Sequence, residues 1–478
     1  MTTESPVNPS GVTRAVVMGS MLLAVAAGLW PLAAQPFLLG SLLAIFVGTA
    51  LAARWRFAAT ATIVLFFAYI AYGVARIVAG PGVASMPFWL AAFAGLALGG
   101  SSRSEWRAVG GWRIPLAWWA TGVAVTWPFV FASEVNYALP TSQAGGPIVT
   151  TALLQMALAL WMDRLLAAPG DRAGGHVQAW SQPRWARALA AGAAVTAAAA
   201  IYQRVFDLSW LSGEPWAALR RAVGLMGDAN PMGVATALWA PLAWTLTGSR
   251  ARGTVAATVL AALLWGAAWV SGARTTIILM AMGAAGLVFT WGARRGISLR
   301  TIVAAVVIAG ALGLALMTMV APRVAPGTPL GRLVAFTPEG SPWTVAYEML
   351  WRRDGYGLAA VQAIREHPIT GVGIGRFTGL STSYHQRLTG RAIPPDNAQN
   401  FWRHTLAEQG VLGLLPVLWL TALTLRALFA PLSSSDTLLV RVMVSGLGIA
   451  LVFGYPVQDP AIAVTLATMV AEVARARS

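Results

Sequence analysis

The sequence predicts an all-α polytopic membrane protein with about 12–14 transmembrane helices and one large, partly helical loop. The first observation is composition: 57% of the 478 residues are hydrophobic and only 10% are charged, whereas an ordinary soluble domain carries about 25% charged residues. The second is that apolar runs long enough to cross a bilayer recur along most of the chain. We therefore expect a single transmembrane domain over residues 1–478.

The apolar runs give the order of the predicted spans. The first run follows a polar N-terminus, and we interpret it as a retained signal-anchor helix, because many more spans follow it. The predicted spans are 15–32, 36–53, 57–79, 86–100, 114–131, 147–166, 187–203, 231–248, 253–271, 275–293, 301–320, 408–428, 438–455 and 459–473. The longest polar interval separates 320 from 408, which defines the large loop as 321–407.

The arginine distribution predicts the orientation. With the N-terminus in the cytoplasm, the connections on the cytoplasmic side are all basic, as expected for loops that are not translocated. The large loop then lies outside, where it carries nine arginines and five acids. It is either a solvated loop that meets anionic lipid headgroups or a site for a polyanionic substrate such as a diphosphate.

Several kinds of site are excluded or disfavoured by what the chain lacks. It has no cysteine, which excludes disulfides and thiolate metal sites. It has no D-x-D, H-E-x-x-H, G-x-S-x-G or Walker A motif, which disfavours a Mg-dependent glycosyltransferase, a zinc protease, a serine hydrolase and an ATPase. We expect no metal and no cofactor, so arginines would have to neutralise a diphosphate leaving group.

The end of the large loop, PPDNAQNFWRHTLAEQG, predicts a helix that continues into the next span. Asp396 follows two prolines and precedes Gln399 by three positions, a spacing typical of an N-cap with a capping box. Polar residues lie along this helix at Gln399, Asn400, Arg403, His404 and Glu408. A polar stripe there is costly unless it faces protein, water or substrate. It is therefore either a functional site or a structural cap in which His404 pairs with Glu408.

Three shorter segments carry further candidate residues. GVGIGRF predicts a tight turn of glycines rather than a nucleotide-binding loop, and such a turn could present Arg376 to an anion. GDANPMG starts a helix close after Arg221 and contains Asn230. SGARTT forms a short outer turn with Arg274, whose guanidinium either reaches the membrane surface or faces a cavity where it attracts phosphate.

Taken in order, these segments resemble a known family. HPITGVGIGRF, followed by QNFWRHTLAEQGVLG at the start of a span, is similar to the signature of the O-antigen ligase and O-antigen polymerase superfamily. RAVGLMGDANPMGVATAL resembles the family's Arg-then-Asn-Pro segment, and SGARTTI resembles its Ser-Arg turn. The resemblance covers roughly 204–420, which we expect to be an O-antigen ligase-like catalytic region.

The resemblance implies a metal-independent glycosyltransferase of the bacterial inner membrane, with its large loop in the periplasm. The donor would be a glycan on undecaprenyl diphosphate. The acceptor would be a sugar hydroxyl, either lipid-linked or on lipid A–core. Membrane lipids are further expected partners, and nucleic acid is not. Arg221 and Arg274 would hold the diphosphate. The residues expected to bind substrate are Arg221, Arg274, Asn230, Arg376, Asn400 and Arg403.

One position departs from the family pattern. The family's base histidine is replaced by Gln399, and glutamine cannot accept a proton near neutral pH. Either His404 with Glu408 serves as the base, or the enzyme works without one, or the protein is an inactive member of a polysaccharide assembly complex. The departure favours a polymerase over a ligase. A transporter or flippase of lipid-linked sugars is another alternative, although the sequence has no paired halves.

Overall fold

The computed structural model describes a helical protein. The described residues are 36–79, 86–99, 111–132, 141–167, 184–247, 251–298, 300–308, 347–431 and 435–475, together with positions 312, 341, 343 and 344. Within these ranges all regular structure is helical and there is no strand. The main helices are α1 Pro36–Phe67, α2 Ala71–Ala79, α3 Met86–Gly99, α4 Arg113–Ala132, α5 Thr141–Ala167, α6 Arg184–Val205, α7 Ala229–Thr247, α8 Ala251–Val270, α9 Arg274–Arg294, α10 Tyr356–Glu366, α11 Phe377–Thr389, α12 Phe401–Leu428, α13 Ser435–Phe453 and α14 Pro460–Arg475.

Four helices of the described part are long and apolar enough to cross a membrane: α1, α6, α9 and α12. Shorter apolar helices lie in α3, α8 and α13. In the apolar window of α1 only 11% of the residues are buried, although the mean hydropathy is 1.4. An apolar helix that exposes most of its surface needs an apolar surrounding, as a bilayer provides.

The helices coincide with the predicted spans wherever those spans are described. The predicted spans 36–53 and 57–79 form α1 and α2, and α1 passes through a kink at Arg56 (φ −137°, ψ 54°). The predicted signal-anchor span 15–32 lies outside the described residues. The predicted span 301–320 is described over 300–308 and at 312, where it is helical. Hydrophobic runs therefore located the helices well, as expected for the strongest sequence signal.

Helix α7 is the centre of the bundle. It contacts α6, α8, α9, α13 and α14, and its Met232 and Trp239 side chains are fully buried. The Trp239 indole donates to the Tyr69 hydroxyl (2.7 Å), and that hydroxyl is hydrogen-bonded to the Thr465 hydroxyl (2.7 Å). Interhelical hydrogen bonds of this kind hold apolar helices together where burial alone supplies little driving force.

The helix ends form two separate groups of contacts. At one end, the Arg164 guanidinium lies over the Phe57 ring (4.9 Å), and the Phe57 ring packs edge-on against Trp185 (5.8 Å). At the other end, the Gly73 N–H donates to the Leu225 carbonyl (3.0 Å). We call this second end the motif end: it comprises 68–73, 206–228, 271–276, 347–412 and 452–459.

Candidate functional site

The segment before α7 is held rigidly at the motif end. The buried Gln203 amide oxygen accepts the N–H groups of Val223 and Gly224, both at 2.9 Å. The Thr196 hydroxyl accepts the N–H of Leu225 (2.7 Å). Both acceptors come from α6, so α6 fixes the main chain that leads from Arg221 into α7.

Arg221 joins two of the candidate segments. Its Nε donates to the Ser271 carbonyl (2.7 Å) and its Nη2 donates to Asn230 Oδ1 (2.6 Å). The guanidinium also lies over the Trp216 ring (4.8 Å), and the residue is only 2% exposed. Arg221 and Asn230, both expected to bind substrate, are therefore neighbours, and the Arg221 guanidinium faces protein groups.

The SGARTT segment forms the expected short turn. Three residues separate α8 from α9, and Arg274 is the first residue of α9, where it is half-buried. A Cβ at Gly233 of α7 would overlap the Ser271 hydroxyl, so glycine lets α7 approach this turn closely. Arg274 thus directly follows the turn whose Ser271 carbonyl accepts a hydrogen bond from Arg221.

Helix α12 is interrupted at Gly410, and another segment fills the gap. Gly410 has φ 61° and ψ −164°, far from helical values. The bonds that join the two segments are Val372 N–H to Ala407 O (2.9 Å), Gly373 N–H to Glu408 O (2.9 Å), Val411 N–H to Pro368 O (2.9 Å) and Leu412 N–H to Ile369 O (3.2 Å). In an unbroken helix, the N–H groups of 411 and 412 would donate to the carbonyls of 407 and 408. The inserted segment therefore satisfies all four groups that the break releases.

Glycine is required on both sides of this contact, which we call the interlock (368–373 with 407–412). Gly371 and Gly410 both have positive φ, at 68° and 61°. A Cβ at Gly371 would overlap the Glu408 main chain, and a Cβ at Gly410 would overlap the Ile369 main chain. The prediction of a tight glycine turn is confirmed. The Arg376 side chain folds back onto this turn, where its Nη1 donates to the Val372 carbonyl (3.3 Å).

The predicted start of α12 is wrong. The N-cap is Asn400 rather than Asp396: Asn400 Oδ1 accepts the Arg403 N–H (2.9 Å) and the helix begins at Phe401. Asn400 Nδ2 also donates to the Val452 carbonyl (2.9 Å), which ties the helix start to the end of α13. Asn and Asp cap helices about equally well, and the contact with Val452 favours the asparagine.

His404 and Glu408 pair as the structural alternative predicted. The distance from His404 Nε2 to Glu408 Oε1 is 3.3 Å, and His404 Nδ1 accepts the Ala398 N–H (3.3 Å). In the neutral ring the hydrogen therefore lies on Nε2. Tyr455 packs against the ring face (4.2 Å), and His404 is 3% exposed. Both ring nitrogens are engaged by protein, so a role as base would require a rearrangement.

Arg403 makes structural contacts. Its Nη1 donates to the Trp351 carbonyl and its Nη2 to the Ala398 carbonyl, both at 2.7 Å. The guanidinium also lies over the Trp351 ring (5.8 Å). It thereby joins the turn before α10 to the loop before α12.

A chain of three side chains crosses the loop before α12. Arg353 Nη2 donates to Gln399 Oε1 (2.9 Å), and Gln399 Nε2 donates to Asp396 Oδ2 (2.5 Å). Asp396 Oδ1 accepts the Asn397 N–H (2.7 Å). Sequence reasoning had singled out Gln399 as a catalytic position and Asp396 as a cap, but it missed Arg353. No local signal distinguishes Arg353 from its neighbour Arg352.

Two carboxyl groups of different segments influence each other here. Burial raises the pKa of Asp396, while hydrogen bonds from Asn397 and Gln399 oppose the rise. Burial also raises the pKa of Asp228, and the charge of Asp396 raises it further. The segment before α7 and the loop before α12 therefore face one another within electrostatic range.

The motif end thus brings together arginines, half-buried carboxyl groups and amides from four segments. Such a set can hold an anion and accept a proton. Among the residues that the structure describes, no group of three or more His, Asp or Glu side chains is arranged to hold a metal ion. In comparisons with known proteins, the chain matches no protein-family model and no curated protein sequence.

Proposed function

We propose that the protein is a membrane glycosyltransferase that moves a glycan from a polyprenyl diphosphate to a sugar hydroxyl, as an O-antigen ligase-like or polysaccharide polymerase enzyme. One observation carries the proposal: the four segments that resemble the family, although distant in sequence, meet at the motif end. Arg221 links RAVGLMGDANPMGVATAL, to which it belongs, with SGARTTI. The interlock links HPITGVGIGRF with QNFWRHTLAEQGVLG.

The proposed location is the inner membrane of a bacterium, with the N-terminus in the cytoplasm and the motif end in the periplasm. The apolar helices support a membrane location. Arg113, in a connection predicted to be cytoplasmic, forms an ion pair (3.6 Å) with Asp163, near the predicted cytoplasmic end of the span 147–166. The excess of arginine in the short connections gives the orientation.

The proposed chemistry places growing negative charge on the diphosphate. The acceptor oxygen attacks the anomeric carbon of the donor sugar, the bond from that carbon to the diphosphate oxygen breaks, and the acceptor proton leaves to a base. Arg274 and the N-terminus of α9 would neutralise the leaving group. Arg221 would act by holding the Ser271 turn from which Arg274 projects.

Arg274→Ala tests the diphosphate assignment. We expect it to reduce transfer from a polyprenyl-diphosphate glycan by at least about 100-fold, at an unchanged amount of protein in the membrane. The matched control is Arg294→Ala, an exposed arginine at the other end of α9, which should keep wild-type transfer. Wild-type transfer by Arg274→Ala would contradict the assignment.

Arg221→Ala is a less clean test, because removing its side chain also leaves Asn230 and the Ser271 carbonyl without a donor. A charge-retaining Arg221→Lys variant separates the two effects. Lysine keeps the positive charge but not the planar pair of donors. Because Arg221 is proposed to act through its bonds to Ser271 and Asn230, Arg221→Lys should lose most of the transfer rate, and a rate close to that of the wild type would mean that charge alone matters at this position.

One observation favours a second candidate, a flippase for lipid-linked sugars. Transporters often bind their cargo at interrupted helices, and α12 is interrupted at Gly410. Purified protein in vesicles distinguishes the candidates. Lipid movement across the bilayer without glycan transfer would favour the flippase, and donor binding with neither activity would favour an inactive family member.

A further inference from the structure

The loop before α12 holds a carboxylate in an arrangement that its sequence did not suggest. Asp396 does not cap α12, because Asn400 occupies that position. Instead, Asp396 is half-buried at the motif end and its Oδ2 receives the amide of Gln399 (2.5 Å). Because Asp396 does not cap the helix, its carboxylate can have another role.

The orientation of the Gln399 amide is fixed by its two partners. A guanidinium can only donate hydrogen bonds, so the atom that faces Arg353 must be the amide oxygen (2.9 Å). The amide nitrogen must then face Asp396, to which it donates. Arg353 therefore determines that Gln399 presents a donor, and not an acceptor, to the carboxylate.

The backbone of this chain is strained at two places. Gln399 has φ 54° and Arg353 has φ 41°, values that cost a residue other than glycine about 1–3 kcal/mol when sparsely populated. These two residues are also the ones whose side chains meet. Strain at linked positions is common at functional sites, where it holds a group in a needed geometry.

We propose that Asp396 is the proton acceptor for the attacking sugar hydroxyl, that Gln399 orients its carboxylate, and that Arg353 orients Gln399. This proposal rests on the proposed glycosyltransferase function. Asp396 would be the catalytic residue, and Gln399 and Arg353 would be positioning residues. The other candidate base, His404, has both ring nitrogens engaged by Ala398 and Glu408.

The proton balance of the step is simple. The acceptor oxygen forms a bond to the anomeric carbon while its hydrogen passes to Asp396 Oδ2, which accepts one hydrogen bond from Gln399, whereas Oδ1 accepts two from Asn397. The diphosphate leaves with the electron pair of the broken carbon–oxygen bond. Asp396 then releases its proton to water, so no further reactant is needed.

The groups around Asp396 set its protonation. Burial raises the pKa of its carboxyl group, whereas hydrogen bonds from Asn397 and Gln399, His404 when protonated, and the charge of Arg353 lower it. Across the site lies Asp228, whose charge and that of Asp396 repel each other. A base must be ionised to accept a proton, so transfer should fall as pH drops through the pKa of Asp396.

Asp396→Asn tests the base directly. The change is isosteric and removes the ability to accept a proton, so kcat should fall by at least about 100-fold. It also places an amide donor opposite a donor of Gln399 or Asn397, so the melting temperature is measured in parallel and should fall by no more than a few degrees. The control is Asp207→Asn, an exposed carboxylate at the edge of the motif end that is hydrogen-bonded to Ser209, which is not a candidate site residue. It should leave kcat unchanged. Asp396→Glu, which keeps a carboxylate, should recover part of the rate.

Gln399→Ala tests the positioning. It removes a hydrogen bond that lowers the pKa of Asp396, so the acidic limb of the kcat–pH profile should move to higher pH. We also expect kcat to fall by about 10- to 100-fold with little change in KM. A merely structural glutamine would not move the limb.

The outcomes separate this proposal from the proposed function. If the wild-type protein transfers glycan and Asp396→Asn does so equally fast, Asp396 is not the base, although the enzyme assignment stands. An unmoved pH limb in Gln399→Ala overturns the positioning role alone. If the wild-type protein transfers no glycan from any polyprenyl-diphosphate donor, both proposals fail.

Discussion

The two parts of the motif end are held together in different ways. In the interlock, four main-chain hydrogen bonds fasten 368–373 to α12. In the loop before α12, side chains make the contacts, through Arg353, Gln399 and Asp396. Main-chain contacts are indifferent to most substitutions, whereas side-chain contacts can be altered one residue at a time. The interlock therefore acts as a frame, and the loop holds the contacts that a single substitution can alter.

The largest loss of stability is expected from Gly410→Ala, which acts on the main-chain contacts of the interlock. Alanine at φ 61° is strained, and its Cβ would overlap the Ile369 main chain. We expect a loss of about 2–5 kcal/mol of unfolding free energy, measured as a lower melting temperature of the purified protein in detergent.

The control for this prediction is Gly390→Ala. Gly390 has a similar φ of 73°, but a Cβ there meets nothing within 4 Å. Its cost should be limited to the strain, about 1 kcal/mol. Equal melting temperatures for the two variants would mean that close packing at the interlock contributes nothing.

An intermediate effect is expected from Asn400→Ala, which acts on the side-chain-held loop. The change removes the cap of α12 and the bond to the Val452 carbonyl. We expect a loss of about 1–2 kcal/mol by thermal unfolding. Asn400→Asp keeps the cap but not the donor to Val452, so it should recover part of this loss. If Asn400→Ala is as stable as the wild type, neither the cap nor the bond to Val452 contributes.

The smallest effect on stability is expected from Arg352→Ala, which serves as a comparison for the neighbouring Arg353. Arg352 pairs with Glu348 (3.0 Å), and its side chain is 51% exposed, so its loss should cost under about 1 kcal/mol and leave glycan transfer unchanged. Arg353→Ala, one residue away, should instead reduce kcat. Similar transfer rates for the two variants would argue against a special role for Arg353.

The helices could be predicted from the sequence because their signal is local. An apolar run long enough to span a bilayer identifies a helix regardless of what surrounds it. The pairing of His404 with Glu408 was equally accessible, since residues four apart share a helix face. The same holds for the turn before Arg274, which follows from the short gap between two apolar runs.

The details of the candidate site depend on contacts between distant segments, and these were not predictable. The choice of Asn400 over Asp396 as cap depends on Val452, which lies 52 positions away. The break at Gly410 depends on the Pro368 and Ile369 carbonyls, which replace partners that a helix would supply itself. No periodicity in the sequence encodes a left-handed Gln399, because the contacts that hold it include the distant Arg353 as well as Asp396 and Asn397.

The interlock also has a mechanical consequence. A helix with an unfilled gap can bend at that point, but the gap in α12 is bridged from outside by 368–373. A tilt of α12 therefore carries the start of α11 and the end of α10 with it. Any opening of the motif end must turn about other points. Left-handed glycines outside the interlock are Gly375, two residues beyond it, and Gly355 and Gly390, which flank the α10–α11 pair. We therefore expect any such opening to pivot at these glycines of the loop rather than at the break in α12.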